Sequence, residues 1–217
     1  MTNSSEHWPQ AVEGIIGSTL DAIGRPALRD IYNAALGDRI IGWRLSNLAN
    51  VFRIYQEATK DLPPEGRRFV AEKVGIRVVE EASLEDNPDL QKIWANLLAA
   101  AVSKKRPEVA PRYISVVREL SPDEALFLKA MYDHAPNTTG YPVGGSILGE
   151  ALPTSDPDRI DEILEHLTWL GLVRVVSRRH ANSHDLLNQS DPKDIVYTIG
   201  LTKFGGQFLS AAIEGAG

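Results

Sequence analysis

Two imidazoles four residues apart with a carboxylate beside them, His180-Ala181-Asn182-Ser183-His184-Asp185, come nearest in this chain to a set of metal ligands. On a helix that spacing would bring both rings to one face, where they could share an ion. The surrounding residues read as a loop, however, and no third ligand is identifiable, so no metal site is assigned. The 217 residues include no cysteine, which excludes disulfides, thiolate nucleophiles, zinc ribbons and iron–sulfur clusters together. Gly140-Tyr141-Pro142-Val143-Gly144-Gly145-Ser146 is glycine-rich like a phosphate loop, but it lacks the lysine and follows no strand, so it reads as a turn. Nucleophile elbows, zincin helices and kinase motifs are absent. The expectation is a protein with no catalytic residue, no metal, no cofactor and no evident small-molecule substrate.

A second group has contact chemistry rather than catalytic chemistry. Arg174, Arg178, Arg179, His180 and Lys193 form a local basic strip that could touch nucleic acid or a protein partner. The strip stands out because its surroundings are acidic. Residues 1–120 hold 16 Lys/Arg against 16 Asp/Glu, whereas residues 121–217 hold 7 against 13, so the whole net charge of −6 falls on the C-terminal part. An acidic module is a poor generic binder of phosphate backbones.

The elements that carry the strip follow from capping and periodicity. Ser121, Pro122 and Glu124 make a capping box ahead of Ala125, Leu126, Leu128, Ala130 and Met131. A Gly/Pro loop from Asn137 to Gly145 and a short helix near Ile147 to Leu152 come next. A helix capped by Asp156-Pro157 then runs through Ile160, Ile163, Leu164, Leu167 and Leu170 to Gly171. Leu172-Val173-Arg174-Val175-Val176 and Ile195-Val196-Tyr197-Thr198-Ile199 read as strands, and Leu201-Thr202-Lys203-Phe204-Gly205-Gly206-Gln207-Phe208-Leu209 opens a last helix. Three helices, a hairpin and a closing helix form a winged-helix pattern. In that fold the third helix enters the major groove. Here it reads Asp158-Arg159-Ile160-Asp161-Glu162-Ile163-Leu164-Glu165-His166-Leu167-Thr168-Trp169, and its four carboxylates would repel phosphate. Protein contact is therefore preferred to DNA contact, since fold alone does not license function.

The first 120 residues are helical throughout. Val12, Ile15, Ile16, Leu20 and Ile23, interleaved with Gly14, Gly17 and Gly24, mark a short helix whose small-residue face suits core packing, self-association or a membrane surface. Ile41, Leu45, Leu48, Phe52 and Tyr55 make a narrow seam, while Arg39, Arg44, Lys60, Arg67 and Arg68 read as solvated flanks. Pro63-Pro64 ends that helix, and Phe69, Val70, Val74, Val78 and Ala82 mark the next. Asn87 is an N-cap with Pro88 in the first helical position, so a further helix starts there. Leu90, Ile93, Trp94, Leu97, Leu98, Ala101 and Val102 give it an apolar face wide enough for the centre of a bundle. Asn96 lies off that face, either exposed or hydrogen-bonded to a neighbouring helix end. Ser103-Lys104-Lys105-Arg106-Pro107 closes the helix with cations at its negative end.

The segment Glu80-Glu81-Ala82-Ser83-Leu84-Glu85-Asp86-Asn87-Pro88-Asp89-Leu90-Gln91-Lys92-Ile93-Trp94-Ala95-Asn96-Leu97-Leu98-Ala99, followed after a short helix by Leu120-Ser121-Pro122, resembles the signature of the Abi-alpha family. These are bacterial proteins associated with abortive infection, a defence against phage. The resemblance is clearest from about Gly37 to Tyr132 and implies a biological role without a mechanism. Within it, Trp94, Asn96, Leu97 and Leu98 are the signature residues, expected to be structural.

The expected architecture is mainly α, with an N-terminal multi-helix domain over residues 8–120 and a winged-helix-like α/β module over residues 121–217. The N-terminus is polar and acidic, unlike an export signal, and no apolar run approaches the roughly 20 residues of a membrane span, so a cytoplasmic protein is expected. Its expected function is non-enzymatic phage defence through a protein partner or self-association. The alternative is a winged-helix transcriptional regulator or other nucleic-acid binder. Membrane contact would fall to the glycine-rich first helix.

Overall fold

Asn87 starts the helix around which the first part of the chain is built. In the computed structural model, which describes residues 14–19, 39–134, 141–143, 156–180 and 195–214, its side chain accepts the N–H groups of Asp89 and Leu90 at 3.0 and 3.2 Å. Such a cap is worth about 1 kcal/mol. The chain divides into two units, residues 1–118 with 211–217, and residues 119–210.

The first unit contains a helical segment at residues 14–19, then α1 (Arg39–Ala58), α2 (Glu72–Ala82), α3 (Pro88–Val102) and α4 (Pro111–Glu119). Leu45, Leu48, Phe52 and Tyr55 of the α1 seam are buried, each such side chain contributing roughly 1.5–3 kcal/mol. Helix α3 packs against α1 and α2 and is buried nearly all round, from Leu90 and Trp94 to the run Leu97 to Val102. Trp94, Leu97 and Leu98 are thus core residues.

The arginines read as solvated flanks do more than that. Arg44 Nε donates to Ser83 Oγ at 2.9 Å. Arg67 donates to the carbonyls of Leu62 and Thr59 at 3.1 and 3.0 Å, and Arg68 to those of Ala101, Ala100 and Pro107 at 2.8, 3.2 and 2.8 Å. Arg67 and Arg68 therefore supply donors to carbonyls at and just beyond the ends of α1 and α3. Lys104, expected to serve α3, instead donates through Nζ to the Glu65 carbonyl at 2.8 Å. Phe69 is also corrected: it precedes α2 and is 76% exposed, while Val70 beside it is buried. The backbone is not helical there, so neighbouring side chains point to opposite sides.

The second unit holds α5 (Pro122–His134), β1 (Tyr141–Val143), α6 (Pro157–Trp169), β2 (Val173–His180), β3 (Ile195–Leu201) and the start of α7 (Lys203–Glu214). The strands form an antiparallel sheet in the order β1-β3-β2. The segment expected to be a loop from Asn137 to Gly145 thus contributes a strand, with Tyr141 opposite Ile199. The helix expected near Ile147 to Leu152 lies outside the described residues. Between β2 and β3 the register shifts from Val175↔Ile199 to Ser177↔Thr198, leaving a bulge at Val176.

Two glycines fix the join of α6, β2 and α7. Gly171 has φ 75°, and its N–H and that of Leu172 reach the Thr168 and Leu167 carbonyls at 2.9 and 3.0 Å, the double bond of a left-handed helix stop. Thr202 Oγ1 donates to the Gly171 carbonyl at 2.6 Å and accepts the Gly205 N–H at 2.8 Å. A Cβ on Gly205 would stand 2.0 Å from the Leu172 carbonyl oxygen, which explains the glycine of the Leu-Thr-x-x-Gly run.

Candidate functional site

Asn96 sits in the middle of α3 with 7% of its surface exposed, so its amide needs partners within the protein. Its Nδ2 donates to the carbonyls of Ala212 and Ile213 at 2.9 and 3.0 Å. These belong to the last turn of α7, where helix geometry leaves carbonyls without intrahelical donors. Of the two expectations for Asn96, the helix-end contact is the one observed. Nearby in the same unit, Arg106 reaches Glu214 at 2.5 Å. Asn96 and Arg106 together pin the final turn to the helical unit.

A second polar constellation lies in residues 119–210. Glu124 is the third residue of α5, and its Oε2 accepts the Ser121 N–H at 2.7 Å, completing the capping box with Ser121 Oγ accepting the Glu124 N–H at 3.4 Å. Its other oxygen is 2.6 Å from Nδ1 of His166 on α6. A carboxylate only accepts, so His166 donates through Nδ1–H and leaves Nε2 as its second polar atom. The carboxylate side chain is only 5% exposed. The imidazole stacks on the Trp169 indole, with centroids 5.8 Å apart and planes 15° from parallel. Trp169 is 72% exposed. A buried carboxylate thus orients a half-buried imidazole, which in turn supports an indole standing in solvent.

Sequence reasoning put the candidate contact on the basic strip instead. Arg174, Arg178, Arg179 and His180 all fall on β2, opposite Gly200, Tyr197, Val196 and Ile195 respectively. Arg174 is exposed. Lys193 and residues 181–185, with the second histidine of the metal-like set, lie outside the described residues. The Glu124, His166 and Trp169 set was missed because Glu124 and His166 are 42 residues apart in sequence. The capping box announced Glu124, but nothing local announced its partner.

Both constellations lie within the span that a family model recognises. The model for Abortive infection alpha matches residues 44–212, from the arginine that holds Ser83 to the alanine whose carbonyl Asn96 engages. The chain belongs to the Abortive infection alpha family. No curated protein and no solved structure matches it. Membership thus covers both units of the chain, and in this Abortive infection alpha protein the Trp94-Ala95-Asn96-Leu97-Leu98 run packs the core and clamps a helix end. Among its described residues, no helix is long and apolar enough to cross a membrane.

Proposed function

We propose that this protein defends bacteria against phage by abortive infection, acting in the cytoplasm through macromolecular contact rather than catalysis. Family membership supports the biological role. The single observation favouring contact over chemistry is the stacked pair His166 and Trp169, in which a buried carboxylate holds an aromatic side chain out to solvent. An indole held out to water leaves apolar area uncovered, and within protein interfaces rigid tryptophans are among the side chains that carry most of the binding energy. We further propose that residues 121–217 form a winged-helix module used for protein contact or self-association. Helices α5 and α6, the antiparallel β2 and β3 and the closing α7 support that reading.

The alternative, a nucleic-acid-binding regulator, draws on exposed Arg174 and the basic residues that follow it in β2. Charge reversal at Arg178 and Arg179 should then abolish DNA retention, and would leave a protein-contact module unaffected.

The direct test is plaque counting in a phage-sensitive strain expressing the wild-type chain or Trp94→Asp. That substitution empties a core site where the side chain is 2% exposed, at about 3–5 kcal/mol, and leaves an unpaired buried charge there as well, a combined loss comparable to the roughly 5–15 kcal/mol that holds a typical domain folded. Fewer plaques with the wild type and full plaque numbers with Trp94→Asp are expected. Equal counts across several phages would remove the defence role.

A further inference from the structure

The outward side of α6 is not uniform. Asp158, Glu162, Glu165 and Trp169 are all exposed and follow one another at spacings of four, three and four, so they share one face of the helix. The opposite face, Ile160, Ile163, Leu164 and Leu167, is buried. A stripe of three carboxylates therefore leads, over roughly 16 Å, to an indole at the C-terminal end of the helix. Arg159 lies at its flank, bonded to Glu162 at 2.9 Å and Asp123 at 3.3 Å.

The indole is the decisive element. Its 72% exposure leaves a large apolar area in water, yet its ring is stacked on an imidazole that a buried carboxylate and a capping box hold in place. Such ordering before binding lowers the entropy lost on association. An apolar anchor at the end of an acidic row calls for a partner with the opposite charge and an aliphatic contact for the ring.

We propose that this face of α6 is the docking surface for a basic amphipathic helix of a partner protein. Lysines or arginines of that helix, at matching spacing, meet Asp158, Glu162 and Glu165, and an aliphatic side chain covers Trp169. The inference rests on reading residues 121–217 as a protein-contact module and names what that module takes.

The probe is a labelled synthetic helical peptide with lysines at four-three-four spacing and an adjacent leucine. Its control is an isomer of the same composition with the lysines spread around the helix. Fluorescence anisotropy should show the patterned peptide binding the full-length chain at least tenfold more tightly than its isomer. Trp169→Ala should remove that preference at unchanged thermal stability, and Glu165→Lys should weaken the patterned peptide and not the folded state. Equal binding of the two peptides would mean plain charge attraction and overturn the proposal, as would unchanged binding by Trp169→Ala. A concentration-dependent dimer dissolved by Trp169→Ala would give the face to a second copy and also overturn it. Plaque counts separate the two levels. Protection by both wild type and Trp169→Ala removes the surface from defence, whereas no protection by the wild type removes the defence role itself and leaves the peptide result to decide the surface.

Discussion

Asn96 and Glu124 are both buried polar side chains that join distant parts of the chain, but they end differently. The Asn96 amide closes on two helix-end carbonyls, and the arrangement ends within the fold rather than on a displayed side chain. The Glu124 carboxylate passes through His166 to an indole that is largely exposed. In the first case every hydrogen bond is spent on holding the fold together. In the second, a share of the same interaction fixes the position of a side chain that the fold does not need. A polar network that terminates inside a domain reads as architecture, and one that terminates on a displayed aromatic reads as a contact surface.

The largest effect should come from breaking the closed arrangement. Asn96→Asp would aim a buried carboxylate at two carbonyl oxygens, and a loss of about 3–5 kcal/mol in unfolding free energy is expected, read as a lower urea midpoint. An unchanged midpoint would show that the last turn of α7 is not held through Asn96. A smaller effect is expected from Glu124→Ala, which strips an acceptor from the Ser121 N–H and from His166 Nδ1–H and should cost about 1–3 kcal/mol. The informative readout is the indole N–H resonance of Trp169, whose order should fall in Glu124→Ala. Ser121→Ala, at about 1 kcal/mol, should leave it in place. If both variants loosened the indole alike, the open network would be only a helix cap.

Much of this was legible in the sequence because capping and turn chemistry are local. Asn87, Ser121 with Glu124, Asp156 and Gly171 each announced a helix boundary that the structure places there. The Leu-Thr-x-x-Gly run was visible as a pattern, but its reason, the Leu172 carbonyl pressed against Gly205, lies 33 residues upstream. Long-range polar partners were the general blind spot. Arg68 looked like a solvated flank because its acceptors on Ala100 and Ala101 are backbone atoms, which leave no mark in side-chain composition. Phe69 failed for another reason. Helical periodicity was extended one turn too far, across the non-helical stretch where Arg67 pairs with Ser103.

The smallest expected effect has the opposite sign and tests the same distinction with a third polar side chain. Glu85, just before α3, accepts the Asn87 N–H through Oε1 at 2.8 Å, yet burial pushes its carboxyl above the usual range, with the charge of Asp86 adding to the rise. A carboxyl raised in the folded state binds its proton more tightly there than in the unfolded chain. Its contribution to stability is therefore present below the ordinary carboxylate range and is lost as pH rises through the folded value. At neutral pH the ionised Glu85 works against folding. Glu85→Gln retains an oxygen for Asn87 and removes the charge, so thermal melts should show a gain at pH 7, under about 1 kcal/mol because the side chain is only partly buried and solvent screens its charge. The gain should fade below about pH 4, where the wild-type carboxyl is also neutral. A loss at pH 7 would mean that the hydrogen bond to a charged oxygen outweighs desolvation. Glu85 would then belong with Asn96 among the groups that hold the fold.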